Sequence, residues 1–471
     1  MKKSLTYILL FTLALWNTGC SLETSPSSAI PTEKAFGSPQ DVLNGMHGAY
    51  KSLGVSQFWG RNVVAIGDMS SDISLASTSS GHFVAINGWS INDDNAELRD
   101  TWTIGYQVID RCTRAINGAK ELIAHPADYK LSETDITNLH NYSAQLYSIR
   151  SLSHFTLANI FSLPFRSGTE NSQLGIVLVD EKPIEAFEQI SRATVKQTYD
   201  QILKDIASAK EHFALLSSAY KISVSQYFMN EAALYALEAR VKLFMQDYQG
   251  AATAAERAIE LRASADISDE DYVNMWSSVA VSDEDIFTIV KSSADNLSAN
   301  SLNTLYNSYG GSITQFVKGK FGANDARLNL ISGNHPKKFD GIPSAQAVSN
   351  IPVFRKSEMY LIAAEAYANL SEINDARTAL LYTAKRNSDI ETIDDLPGTK
   401  EDLLSFIEDE RIREFFQEGH RMYDLRRTGK AANIGGNSQF VFGNFVYPIP
   451  ANEINAGFGV VQNPDWHTNL P

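Results

Sequence analysis

Shifting the chain by 125 positions lays YALEARVKLFMQDYQGAATAAERA (Tyr235–Ala258) over YLIAAEAYANLSEINDARTALLYT (Tyr360–Thr383), with Tyr235 on Tyr360, Ala239 on Ala364 and Ala251 on Ala376. Each stretch reads as a helix, a short polar break, and a second helix carrying small residues at close spacing. Alanines let two antiparallel helices approach closely, and a tyrosine one turn earlier covers the seam. That is the physical content of a tetratricopeptide unit. Tandem units of this kind repeat every ~34 residues, so the longer spacing here places insertions between units.

Helical periodicity recurs over Ser38–Ser52, Glu97–Ala124, Glu133–Phe161, Thr194–Leu215, Asn230–Arg262, Lys356–Arg386 and Lys400–Arg427. Tyr147–Phe161 followed by Val195–Phe213 forms a third pair, its second helix displaced by an insertion. The expected fold is all-α, predominantly, built of irregular tetratricopeptide-like helix pairs with long loop insertions. Asn62–Asn95 and Leu297–Asn350, rich in Gly, Ser and Asn with scattered aromatics, read as long loops or weak hairpins. Loops of that length in a helical body usually carry function.

The chain has 471 residues, 44% of them hydrophobic, and its 40 Lys and Arg against 55 Asp and Glu give a net charge of −15. That composition builds a core and excludes a disordered or collagen-like chain. Its acidity removes the electrostatic attraction on which nucleic-acid binding depends. Lys2 and Lys3 precede an apolar run from Leu5 to Trp16, too short for a membrane-spanning helix of about twenty residues, and Gly19–Cys20 follow. This reads as a secretory signal over residues 1–19 with a lipobox-like end, so that Cys20 is the expected site of acylation and residues 20–39 the tether. Several acyl chains hold a protein stably on a membrane. Cys112 is then the one remaining thiol, and no internal disulfide forms.

No HExxH, CxxC, GxSxG or GxxxxGK[ST] motif occurs, and the nine histidines lack metal-ligand spacing. No catalytic residue, metal or cofactor is expected. NDDNAE (Asn92–Glu97), SDED (Ser282–Asp285) and DEDY (Asp269–Tyr272) read as solvated turns or helix caps, because they lack the alternating oxygen ligands of a calcium loop. The densest charge pattern, Ile407–Lys430, puts Glu408, Arg411 and Glu418 on the same arc as Leu404, Ile407, Ile412 and Phe415. Arg411, with Glu408, Glu414 and Glu418 within two turns, suggests a partly buried ion network that fixes how the helix docks. The competing reading makes Glu410 or Glu414 a general acid.

Five stretches then carry a resemblance: GDMSSD (Gly67–Asp72), SIRSLSHFTLANIFSLPF (Ser148–Phe165), FRKSEMYLIAAEAYANL (Phe354–Leu370), ERIREFFQEGHRMYDLRRTGK (Glu410–Lys430) and YPIPANEINAGFGVVQNPDW (Tyr447–Trp466). In this order, behind a lipoprotein start, they resemble the SusD/RagB family of surface lipoproteins. The resemblance implies one SusD-like body over residues 40–471, with an N-terminal part of about 40–225 and a C-terminal part of about 226–471. It also implies anchoring to outer-membrane lipid through acylated Cys20, exposure at the surface of a Gram-negative cell, and a SusC-like TonB-dependent transporter as partner. The ligand would be a polymeric nutrient fragment, an oligosaccharide or alternatively a peptide, handed on without covalent chemistry. A surface-anchored glycan hydrolase, which needs two carboxylates about 5 to 10 Å apart, and a structural adaptor are the readings from other classes.

Sugar rings present flat apolar faces, so exposed aromatic platforms among amides and hydroxyls are the expected apparatus. The early loops offer Phe58, Trp59, Phe83 and Trp89 with Arg61, Asn87 and Asn92; the later ones offer Trp276, Tyr306, Tyr309 and Phe316 with Asn303 and Asn307. Trp59 and Trp89, flanked by glycine or polar residues, are the leading candidates. Trp102, inside a helical pattern, is expected in the core.

Overall fold

Capping side chains start most of the long helices. A computed structural model describes residues 35–222, 224–345, 347–435 and 437–471; the signal segment, Cys20 and the tether up to residue 34 lie outside them. Ser38 accepts the Asp41 N–H ahead of α1 (Pro39–Leu53). A fully buried α2 (Asn62–Met69) follows, and then Asn95, from the NDDNAE string, caps α3 (Ala96–Ala124). Reciprocal capping boxes, Ser132 with Asp135 and Thr194 with Gln197, open α4 (Glu133–Phe161) and α5 (Val195–Ala214). Asn230 and Asp247 cap α6 (Glu231–Phe244) and α7 (Tyr248–Leu261). The C-terminal half continues with α8 (Lys356–Leu370), α9 (Ile373–Ala384), α10 (Lys400–Phe415, capped by Thr399) and α11 (Arg421–Thr428). The architecture is predominantly α, as the periodicity predicts.

Consecutive helices pack in sequence: α1 on α3, α3 on α4, α4 on α5, then α6 on α7, α7 on α8 and α8 on α9, with α10 against α8 and α9. The α6/α7 and α8/α9 pairs are the repeat seen in the sequence. Gln246 (φ 60) and Ser371 (φ 67), which occupy equivalent positions under the 125-residue shift, both turn the chain through the left-handed region. Ala239, Ala251, Ala364 and Ala376 are fully buried along the seams. The two seam tyrosines are held by flat contacts: Tyr360 stacks on Tyr382 at 3.9 Å and Tyr235 carries the Lys210 ammonium 4.5 Å above its ring. In the third pair, Arg150 of α4 forks onto Asp205 of α5 at 2.6 and 2.8 Å.

Short antiparallel ladders join the insertions to this array. They pair β1 (Ser74–Leu75) with β3 (Ser312–Ile313), β2 (Asp285–Ile289) with β6 (Ile351–Arg355), β4 (Ile331–Ser332) with β5 (His335–Pro336), and β7 (Ala431–Ile434) with β8 (Asn437–Val441). The segment 62–95 is not all loop, because α2 fills its first eight residues. NVVAIGDM is buried on every side and so shows no amphipathic period to betray a helix.

Two distant motifs meet at α2. Gly67 lies so close to the turn between α10 and α11 that a β-carbon there would sit 2.0 Å from the Gly419 carbonyl oxygen. Asp68 Oδ1 accepts the Gly419 N–H at 3.0 Å, and Arg421 forks onto Asp72 at 2.8 and 2.9 Å. Burial pushes the Asp68 carboxyl well above the usual carboxylate range, against the pull of the Gly419 N–H. The unfolded chain loses this proton above pH 3.8, the ordinary value, while the folded chain keeps it. Stability from this group is therefore present at low pH and lost as pH rises. Asp68→Asn keeps the Gly419 bond without a proton to lose, so its melting temperature relative to wild type should be higher at pH 8 than at pH 4. An equal difference at both values would contradict the assignment.

The charged helix of the C-terminal motif clamps the long insertion. Five cations (Arg327, Lys338, Arg355, Arg386 and Arg413) face five carboxylates (Glu284, Asp325, Glu410, Glu414 and Glu418). Glu414 lies at the centre, with Arg327, Arg355 and Arg386 within 3.3 Å. Two expectations are corrected here. Arg411 bonds Asp424 at 2.7 Å and not Glu408, Glu414 or Glu418. SDED is no solvated turn: Glu284 is fully buried between Arg355 and Arg386, bonded also to Ser357 and Tyr382. DEDY does form the first turn of a helix capped by Ser268.

Candidate functional site

The ladder between β1 and β3 brings the early and late insertions onto one face. Thr314 donates its backbone N–H to Ile73 O and its hydroxyl to Asp72 O, and Arg61 Nη1 reaches Asn300 Oδ1 at 3.1 Å. At the rim of this junction His82 stacks on Tyr309, ring centroids 4.7 Å apart and planes 12° from parallel. Gly310 (φ 74) lets the chain turn against Ser77 just beyond that pair. Phe316, on the other side of β3, is 40% exposed, with the Lys320 ammonium 4.7 Å from its ring. Leu75 is also exposed.

Polar groups surround these apolar surfaces. Asn334 Oδ1 accepts from Gln315 Nε2 at 3.0 Å and Lys318 Nζ at 3.2 Å, Ser77 and Ser79 hydroxyls bond each other at 2.8 Å, and Asn307 is exposed. Asn87 holds the loop in place, donating to Met69 O and Ser74 O while accepting the Ala76 N–H. Its amide is committed to the backbone.

Most of the aromatics singled out as platforms are structural instead. Phe58, Phe83 and Tyr306 are at most 1% exposed, and Trp59, Trp89 and Trp276 at most 8%. Trp59 donates its indole N–H to Thr156. Phe83 lies under the Arg61 guanidinium, which is itself buried and bonded to Asn62 and Asn300. Trp89 is wrapped by Phe440, Phe442 and Phe445 at 4.8–5.7 Å. Trp276 caps the ion network, with Lys338 and Arg355 at 4.9 and 5.4 Å from its ring. Asn303 is buried, Asn92 is exposed, and Trp102 is in the core as expected.

Of the named residues, Tyr309, Phe316, Asn307 and Asn92 remain accessible, the first three of them flanking β3. Sequence reasoning missed His82, Gln315 and Asn334. His82 sits in the Ser/Gly-rich string SSGHF, and Gln315 beside Phe316, so local composition held a signal for both. Glu410 and Glu414 cannot serve as general acids. Both are buried in ion pairs, and against the upward push of burial the cations around Glu414 together hold its carboxyl far below the usual range. Among the described residues no cluster of three or more His, Cys, Asp or Glu is placed to hold a metal, and no helix is long and apolar enough to cross a membrane.

Residues 21–243 match a SusD-like family model described as starch-binding and associating with the outer membrane, and residues 330–466 match the SusD/RagB model. SusD-like protein P2 of Formosa agariphila is 28% identical over 300 residues, which span 61% of this chain but only 53%, about half, of that relative. The starch-binding protein SusD of Bacteroides thetaiotaomicron is 32% identical over 146 residues, 27% of this chain and 24% of that protein. The crystal structure of a SusD superfamily protein from Bacteroides vulgatus superposes with a TM-score of 0.79 at 26% identity, covering 91% of this chain and 99% of that one. With both matched stretches and the whole fold in agreement, the chain belongs to the SusD/RagB family.

Proposed function

We propose that this protein is an outer-membrane lipoprotein that captures an oligosaccharide on the His82/Tyr309/Phe316 face and delivers it to a SusC-like TonB-dependent transporter. One observation carries the reading: two insertions more than two hundred residues apart are tied together by β1 and β3 and present flat rings among amides and hydroxyls. That is the chemistry a sugar's apolar face and hydroxyl edge require. The family description and the name of the Bacteroides thetaiotaomicron relative support a saccharide as ligand. Acylation of Cys20 would hold the body at the membrane surface, since the described helices offer no span. The protein acts by binding and hand-over, without turnover.

Calorimetric titration with neutral oligosaccharides and with peptides tests this. Tyr309→Ala and Phe316→Ala should each weaken saccharide binding by roughly tenfold, the loss of one stacked ring, with melting unchanged because both residues lie at the surface. Binding of peptides alone, indifferent to both substitutions, would replace the reading with peptide capture.

A further inference from the structure

We propose a second saccharide-binding cleft, away from the loop face, that takes one neutral or amine-bearing sugar unit. It is a cavity of about 410 Å³ between α3, the segment 177–190 and the segment 452–458, within the range of small-ligand sites. It shares no residue with the His82/Tyr309/Phe316 face, and it rests on the carbohydrate reading above.

Its walls are aromatic. Trp102 and Tyr106 form the floor, their rings 4.7 Å apart, and Phe187 and Phe458 stand edge to face at 6.0 Å across the mouth. Phe187 is 82% exposed, the largest exposure among the described large apolar side chains, and its φ of 65° lies in the left-handed region that an aromatic residue rarely adopts. The edge of Phe458 is the one ring contact it makes among the described residues. The loop bearing it is nevertheless braced: Glu188 accepts the Glu185 N–H at 2.9 Å, and Ile190 N–H bonds Phe458 O at 2.8 Å. A braced, strained loop that offers a bare ring beside a cavity is a preorganised apolar platform.

The polar edge is equally specific. Glu453 accepts the Trp102 indole N–H at 3.1 Å, which fixes its carboxylate at the floor. The Tyr106 hydroxyl is occupied by Val177, donating to its carbonyl and accepting its N–H, so it holds the wall and does not compete for ligand. Arg114 neutralises Asp110 and Lys182 neutralises Glu188, while Glu185 and Glu453 have no salt-bridge partner among the described residues. No cation lines the cavity. Carboxylates accept the hydroxyls of a neutral sugar or the ammonium of an amino sugar, and they repel uronates and sulfated sugars. The ring stacks on Phe187 while its hydroxyl edge meets Glu453 and Glu185.

The test titrates the full chain by calorimetry with maltotetraose, cellotetraose, a chitosan tetramer and tetragalacturonate, using Phe187→Ala, Glu453→Gln and Tyr309→Ala. Two sites are expected for at least one neutral or amine-bearing tetrasaccharide. One site should weaken by about tenfold in Phe187→Ala and in Glu453→Gln, and survive in Tyr309→Ala; tetragalacturonate should not occupy it. Phe187 touches no core, so its truncation leaves the fold intact and the comparison valid. If every saccharide binds Phe187→Ala and Glu453→Gln as it binds wild type, the cleft is overturned while the loop face stands. If only the cleft variants lose binding, the cleft stands and the loop face falls. Absence of binding by all four saccharides overturns the cleft.

Discussion

Gly67→Ala is expected to destabilise the chain by about 3 kcal/mol or more, at or beyond the usual limit for overpacking. The new methyl group would meet the Gly419 carbonyl oxygen, carbon and α-carbon within 3 Å. All three are backbone atoms and cannot rotate away. Gly419 itself is held at φ 82, with Val64 backbone atoms within 3.1 Å of where a β-carbon would stand, so the contact is closed from both sides. Relief requires α2 to lift from the α10–α11 turn. That would break the Asp68–Gly419 hydrogen bond and the Arg421–Asp72 pair and loosen the base of the loop face. Gly398→Ala, with nothing within 4 Å of the added carbon and no left-handed φ, should melt within a degree or so of wild type. Thermal melts of the two variants check this.

Removing the central carboxylate should cost as much or more. Glu414→Ala leaves Arg327, Arg355 and Arg386, each at most 3% exposed, facing a deficit of negative charge. Breaking a buried pair in this way typically costs about 3–5 kcal/mol, and here one carboxylate serves three guanidiniums. The surface pair Lys196–Asp200, with both side chains more than half exposed, should be worth less than about 1 kcal/mol when cut by Asp200→Ala. The pH dependence has a definite sign. The folded Glu414 pKa lies below its ordinary 4.5, so its contribution is present above that value and is lost as pH falls below it. Wild type should therefore lose stability more steeply below pH 4.5 than Glu414→Gln, as followed by denaturant melts across that range.

Helix starts were legible because they are written locally. Asn95, Ser132, Thr194, Asn230 and Thr399 carry their capping signal within three residues, and the periodic apolar stripe follows. The alanine seams could be read by comparing the repeat with itself. Neither signal exists for α2, a short helix buried on every side. The error over Trp89 has a related cause: Gly88 and Ser90 made it look like a surface ring, but Phe440, Phe442 and Phe445 cover it from the far end of the chain. Local polarity reports only what precedes and follows a residue, while burial depends on which distant segment docks there.

The charged motif shows the same division. Its composition and arc position predict a buried network, and one is present. The pairing of Arg411 was misread because the partners that matter for Glu414 come from other segments: Arg327 from the insertion, Arg355 from the end of β6 and Arg386 from beyond α9. Those three arginines tie the insertion to the helix array. Of the candidate site, Tyr309, Phe316 and Asn307 were legible as residues of the later insertion, though Phe316 lies in a short helix, Gln315–Lys318. Their convergence with His82 was not, because it depends on a two-residue ladder between segments more than two hundred positions apart.

A saccharide is proposed to be held where these two insertions meet. Hydrogen exchange of the full chain, with and without whichever oligosaccharide binds most tightly, tests it most directly. Exchange at 76–88 and at 307–320 should slow on ligand addition in the wild type and not in Tyr309→Ala. Saccharide binding that leaves exchange in both segments unchanged would contradict it.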